Sequence, residues 1–198
     1  MNLSNKLTLS RILLVPFFVA ALLIDFPFHW VAALLLFIIA SITDMLDGKI
    51  ARKKGLITDF GKFADPLADK ILVISALLCF LQLGLCDSVA IIIVLFREFT
   101  VTSIRLVAAS KGEVVAANIW GKIKTVVQMI AIITILTMQG FLGLLTDFGL
   151  FGLSPEIIAT LTDIFKISGF VLIWISTVLA LISGIIYIIQ NKKFIQEK

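Results

Sequence analysis

Long apolar runs alternate with short polar connections along the whole chain. The runs near 9–25, 29–46, 66–86, 88–110, 118–140 and 167–189 are dominated by Leu, Ile, Val, Phe and Ala, and each approaches the roughly 20 residues that a helix needs to cross a hydrocarbon layer. The pattern predicts an all-α integral membrane protein of six transmembrane helices. Open strands are not expected, because they cannot satisfy their backbone in lipid. Residues 1–8 are expected to form an interfacial N-terminal segment, and residues 141–166, with Gly, Phe, acids and one Pro, an outer interfacial loop or short helix. No internal repeat or low-complexity linker is visible, so one membrane domain over 1–198 is expected. The first run is kept as mature structure, since it lacks a small-x-small cleavage site and more spans follow it.

Composition agrees: 60% of the 198 residues are hydrophobic and the mean hydropathy is +1.13, outside the range of a soluble domain. The charges are unevenly placed. Lys6 and Arg11 open the first run; Lys49, Arg52, Lys53, Lys54, Lys62 and Lys70 crowd the second connection; Arg105, Lys111, Lys122 and Lys124 surround the fourth; Lys192, Lys193 and Lys198 follow the last run. The other connections carry Asp25, Asp87, Asp147, Glu156 and Asp163, with Lys166 the single base. By the positive-inside rule a multi-pass cell-membrane protein is expected, with both termini cytoplasmic. The net charge of +4 is then a topology signal, and no nucleic-acid partner is called for. Cys79 and Cys86 lack metal-ligand spacing and read as small apolar filler.

Asp44 and Asp47, then Asp65 and Asp69, gather in one stretch at the membrane boundary. Residues three and four apart share a helix face, so Asp44, Asp47, Gly48, Ala51 and Arg52 form one stripe, and Asp65 and Asp69 are neighbours on the next helix. If those helices pack as an antiparallel pair, four carboxylates converge. Two of them about 5 Å apart repel by about 3 kcal/mol at an effective dielectric near 20, so neutralisation is required. Two divalent cations would cancel the formal charge, and oxygen-only ligands suit hard ions, Mg²⁺ or Mn²⁺. Gly48 and Ala51 leave room for a helix or ligand to approach the backbone.

The spacing Asp-x2-Asp-Gly-x2-Ala-Arg-x8-Gly-x3-Asp-x3-Asp, filled by Asp44, Asp47, Gly48, Ala51, Arg52, Gly61, Asp65 and Asp69, resembles the signature of the CDP-alcohol phosphatidyltransferases, membrane enzymes of phospholipid synthesis. The resemblance implies a cytoplasm-facing active-site cavity, metal ions on Asp44, Asp47, Asp65 and Asp69, and Asp69 as general base. It also implies that Gly48, Arg52 and Thr58 contact CDP-diacylglycerol, with Asn5 and Thr8 closing over the nucleotide. Homodimerisation among membrane lipids is implied in the same way. Asn5-Lys-Leu-Thr8-x-x-Arg11 taken alone reads equally as an amphipathic interfacial helix.

The fourth run holds Arg97 and Glu98, with Arg105 two turns on. Ionisable groups at this depth face a bundle interior or a wet cavity. For Glu98 an internal ion pair or snorkelling suffices, whereas Arg97 and Arg105, eight apart, suit a phosphate clamp. Together with Lys111-Gly112 and Asn118-x-x-Gly121-Lys122-x-Lys124-Thr125, these residues are most similar to the glycerol-3-phosphate-using branch of the family. Arg105, Lys111 and Lys122 are accordingly expected at the acceptor phosphate, with an inositol-phosphate-using branch as the competitor. From another class, an acidic intramembrane cluster could serve a small cation transporter; charge gathered on one side, rather than spread near the midplane, argues against it. Gly169, Ser176 and Gly184 in the last run offer close helix packing or a dimer contact.

Overall fold

The computed structural model describes residues 3–54, 59–113, 115, 116, 118–149 and 152–194, with side chains outside 3–7, 44–67, 69 and 148. No strand occurs among the described residues, as the hydropathy pattern requires. Six helices follow in order: α1 (Leu3–Leu23), α2 (His29–Lys54), α3 (Asp59–Gln82), α4 (Ser88–Ser110), α5 (Ile119–Phe148) and α6 (Pro155–Gln190), closed by a 3-10 turn at Lys192–Phe194. Each apolar run corresponds to one helix, apart from a few residues at the ends of three runs.

Two corrections concern the ends. The segment 141–166 is not a loop: α5 continues to Phe148 and α6 begins at Pro155. Gly149, with φ 57°, ends α5 in the left-handed conformation that a side chain disfavours. Pro155 starts α6, where its missing N–H costs nothing. At 36 residues α6 is about 54 Å long, well beyond a hydrocarbon layer of about 30 Å. Its polar first third, with Glu156, Thr160, Asp163 and Lys166, is a helical extension of the apolar run and not a connection to it. The Thr160 hydroxyl, which donates to Glu156 O at 2.8 Å, is satisfied within that helix.

Length and apolarity alone qualify α5 over Ile119–Asp147 and α6 over Pro155–Gln190 to cross a membrane, and shorter apolar stretches lie at Thr8–Leu23, His29–Thr43 and Lys70–Gln82. The molecule is apolar on its outside too. Phe17, Phe96, Phe99, Leu106, Ile167 and Ile189 are 61% to 69% exposed, a surface suited to acyl chains and adverse to water.

Helix α1 packs along α2 and α3, α2 along α5, and α6 along α4 and α5, whereas α2 and α3 touch each other little among the described residues. The core draws on all six helices. Phe18 and Phe37, with ring centroids 5.6 Å apart, fill its α1–α2 part. Between apolar helices in lipid, packing itself must supply the attraction, and small residues provide it. Ala33, Ala40, Ala76 and Ala180 are fully buried. Gly169, Ser176 and Gly184 face the bundle on one buried stripe of α6; a Cβ on Gly169 would lie 3.2 Å from Ile135 Cγ1 on α5. Close packing within the chain is therefore the role these three fill.

Helices α4 and α6 run side by side in the same direction. Asp87 accepts from Trp174 Nε1 at 2.8 Å, Arg97 donates to Ser183 at 3.0 Å, and Lys193 meets Glu113 at 2.5 Å. Asp87 also caps α4, accepting from Ala90 N at 2.9 Å. Cys79 and Cys86 are both buried free thiols.

Candidate active site

The signature occupies two helix ends. Asp44, Asp47, Gly48, Ala51 and Arg52 lie in the last three turns of α2, and Gly61, Asp65 and Asp69 in the first three of α3. The i, i+3 and i, i+4 spacings thus become shared helix faces. Asn5 and Thr8 sit in the opening turns of α1, which packs against both helices. The side chains of Asn5, Asp44, Asp47, Arg52, Asp65 and Asp69, and Thr58 altogether, lie outside the described residues. Convergence of the carboxylates is accordingly an expectation from the spacing and the helix positions.

What borders the signature is described. Thr8 and Ala68 are fully buried, and Arg11 is 3% exposed. A cavity of about 160 Å³ opens beside them, reached from α2 by Ser41, from α3 by Ala68 and Lys70, from α4 by Glu98, and from α5 by Lys124 and Gln128. Apolar side chains, among them Leu72, Val94 and Met129, complete its wall.

Glu98 organises one side of this cavity. Its carboxylate accepts from Lys124 Nζ at 2.7 Å and from Arg97 at 2.8 Å, and Lys70 Nζ lies 3.6 Å away. Lys70 also donates to the Glu98 carbonyl at 3.2 Å and to the Thr102 hydroxyl. Three cations from three helices thus share one carboxylate away from bulk water, where Coulomb attraction is strong and desolvation is expensive. Glycines make the geometry possible. A Cβ on Gly184 would come 2.9 Å from Arg97 Cγ, and one on Gly121 would come 3.0 Å from its guanidinium. Arg97 is wedged into notches on α5 and α6.

The residues expected at the acceptor phosphate lie elsewhere. Arg105 donates to the Tyr187 hydroxyl at 3.2 Å and stacks over its ring at 5.7 Å; Lys111 caps α4, and Lys111 and Lys122 are exposed. None of the three lines the cavity. Arg97 and Arg105, which share a face of α4, have different partners: one is turned to Glu98 and Ser183 and the other to Tyr187. Glu98 is the internal ion pair that its depth suggested. The cavity cations are Arg11, Lys70 and Lys124, of which Lys70 had registered only as a topology charge. Gln128, one turn after Lys124, carries no role in the sequence reading.

A family model described as CDP-alcohol phosphatidyltransferase matches residues 1–191. The chain belongs to this family. Among curated proteins, one from Bacillus subtilis named CDP-diacylglycerol--glycerol-3-phosphate 3-phosphatidyltransferase is 49% identical over 149 residues, 68% of this chain and 76% of its own. Proteins of the same name from Rickettsia bellii and Haemophilus influenzae are 34% and 38% identical. The Rickettsia match covers 98% of this chain and 97% of the relative, the Haemophilus match 66% and 73%. The cavity lies beside the two helix ends that carry the signature and is walled by cationic side chains. The transporter reading has no support among these relatives.

Proposed function

We propose that this protein transfers the phosphatidyl group of CDP-diacylglycerol to sn-glycerol 3-phosphate, giving phosphatidylglycerophosphate and CMP. The observation that carries this reading is the complete eight-position signature, set on two helix ends beside a cavity with basic walls. The names of the relatives support the choice of acceptor.

The donor set fits hard cations: Asp44, Asp47, Asp65 and Asp69 are all oxygen ligands, and no Cys or His stands in residues 44–69. Two divalent ions, Mg²⁺ or Mn²⁺, would supply neutralisation of the pyrophosphate and of the leaving phosphate there. Asp69 takes the proton of the attacking primary hydroxyl. That oxygen bonds to the phosphorus bearing diacylglycerol, the pyrophosphate P–O bond breaks, and the electron pair leaves with CMP. Gly48, Arg52 and Thr58 hold the CDP portion, and Asn5 and Thr8 at the start of α1 close over it. Arg105, Lys111 and Lys122 carry positive charge at the cytoplasmic surface through which an anionic acceptor would arrive.

All six helices cross the membrane in this reading, α4 included, because Arg97 and Glu98 are enclosed by α3, α5 and α6. Both termini and the cavity face the cytoplasm, where the bases cluster, and two copies form a homodimer. Purified protein in detergent, given CDP-diacylglycerol, Mg²⁺ or Mn²⁺ and either glycerol 3-phosphate, inositol 1-phosphate or no acceptor, should release CMP with glycerol 3-phosphate and lose that activity on chelation. Asp69→Asn should abolish release while the variant still inserts and folds; near wild-type turnover would remove Asp69 as the base.

A further inference from the structure

One polar side chain in the cavity wall has an unmet hydrogen bond. Gln128 is 2% exposed, and its Nε2 is buried without a hydrogen-bond partner among the described residues. Buried amides are almost always bonded, so an orphan at the edge of a cavity marks a partner that arrives with a ligand. The other neutral polar groups of the wall have committed their protons. Ser41 donates to Phe37 O at 2.7 Å and Thr125 to Gly121 O at 3.0 Å, which leaves them only acceptor lone pairs to offer. Gln128 offers N–H.

Its position narrows what that partner is. Lys124, one turn earlier on α5 and about 6 Å along the axis, and Lys70 across from it place cationic groups in the same cavity. The space, about 160 Å³, is that of roughly five waters. A small ligand with an anionic end at the lysines and a hydroxyl one helical turn further in matches this wall. We propose that Gln128 reads the central hydroxyl of a three-carbon phosphorylated acceptor and is a specificity-determining residue. The proposal rests on the transferase reading above. A site built to bond a hydroxyl discriminates strongly against an analogue lacking it, because the site's own polar group is then left unpaired.

The test compares glycerol 3-phosphate with 3-hydroxypropyl phosphate, which keeps the primary hydroxyl and the phosphate but lacks the central hydroxyl. Wild-type enzyme should favour glycerol 3-phosphate in kcat/KM by about tenfold or more. In Gln128→Met, and in the isosteric Gln128→Glu that removes the N–H donors, this ratio should fall to within about threefold of one. An undiminished ratio in both variants, or a wild type indifferent to the central hydroxyl, would overturn the proposal. Since the amide is unpaired without acceptor, Gln128→Met should melt no lower than wild type; a marked drop would assign the amide to the fold instead. Failure of the wild type to release CMP with either acceptor would defeat the transferase reading itself and this proposal with it, an outcome separable from equal use of both.

Discussion

Removing the Glu98 carboxylate tests whether the buried charges form one closed system. Lys124 is 4% exposed, and its ammonium lies 2.7 Å from Glu98 Oε1, the one anionic partner it has among the described residues. Arg97, 10% exposed, shares the same oxygen at 2.8 Å. Glu98→Ala leaves both cations in place with no carboxylate between them, and deleting one member of a buried pair costs about 3–5 kcal/mol. At roughly 2–4 °C per kcal/mol for a chain of this size, the melting midpoint should fall by about 6–20 °C, read in detergent by intrinsic tryptophan fluorescence. Deleting both partners has the opposite logic, because an apolar pair of similar volume is often neutral. Glu98→Gln combined with Lys124→Met should regain at least half of the loss. An alanine variant as stable as wild type, or a double variant no better than the single, would refute the cluster as a desolvated ion-pair system.

Two further perturbations probe how the helices around it are held. Gly184→Ala places a methyl 2.9 Å from Arg97 Cγ; overpacking of about 1–3 kcal/mol outweighs a helix-propensity gain of about 1 kcal/mol, and Gly184→Val should be worse. Unchanged melting of both would mean that Arg97 is free to move. Asp87→Ala removes the α4 cap, worth about 1 kcal/mol, and strands the Trp174 indole N–H, for a further loss of about 1–3 kcal/mol. Trp174→Phe should cost less than Asp87→Ala in the same melting experiment, since the cap survives, and equal losses would show that the cap contributes nothing.

Much of the fold was legible because hydropathy and helix length report the same physical demand. Each apolar run from 9–25 to 167–189 corresponds to one helix, and the absence of strand among the described residues followed from backbone satisfaction. Helix ends were less legible. Residues 155–166 lack the apolar density of a span, so hydropathy ended the sixth element at 167, yet nothing in Glu156-Ile-Ile-Ala-Thr-Leu-Thr-Asp163 breaks a helix once Pro155 has started it. Polarity there marks where the helix leaves the apolar layer, and Gly149 and Pro155 mark where the chain turns. The signature was legible for another reason: fixed spacing on α2 and α3 needs no knowledge of which helices touch.

The charge cluster around Glu98 was illegible because its cations come from three helices whose order in space is not written in their spacing. Arg97 and Arg105 are eight apart and share a face of α4, which is the usual ground for assigning them one ligand. That face is long, however, and meets different parts of α6: Ser183 and Gly184 near Arg97, Tyr187 near Arg105. Lys122 and Lys124 invite the same treatment because they are close in sequence, but two residues on a helix point about 200° apart. One is exposed and the other reaches Glu98. The discriminating clue was Glu98 itself. A carboxylate amid an apolar run cannot stay ionised alone, so it must draw cations from neighbouring helices. The bases a bundle can bring inward are those that meet small residues on the packing faces of neighbouring helices. Arg97 meets that condition through Gly121 and Gly184, and the cavity that forms around its partner carboxylate is where Gln128 is left waiting for a hydrogen bond.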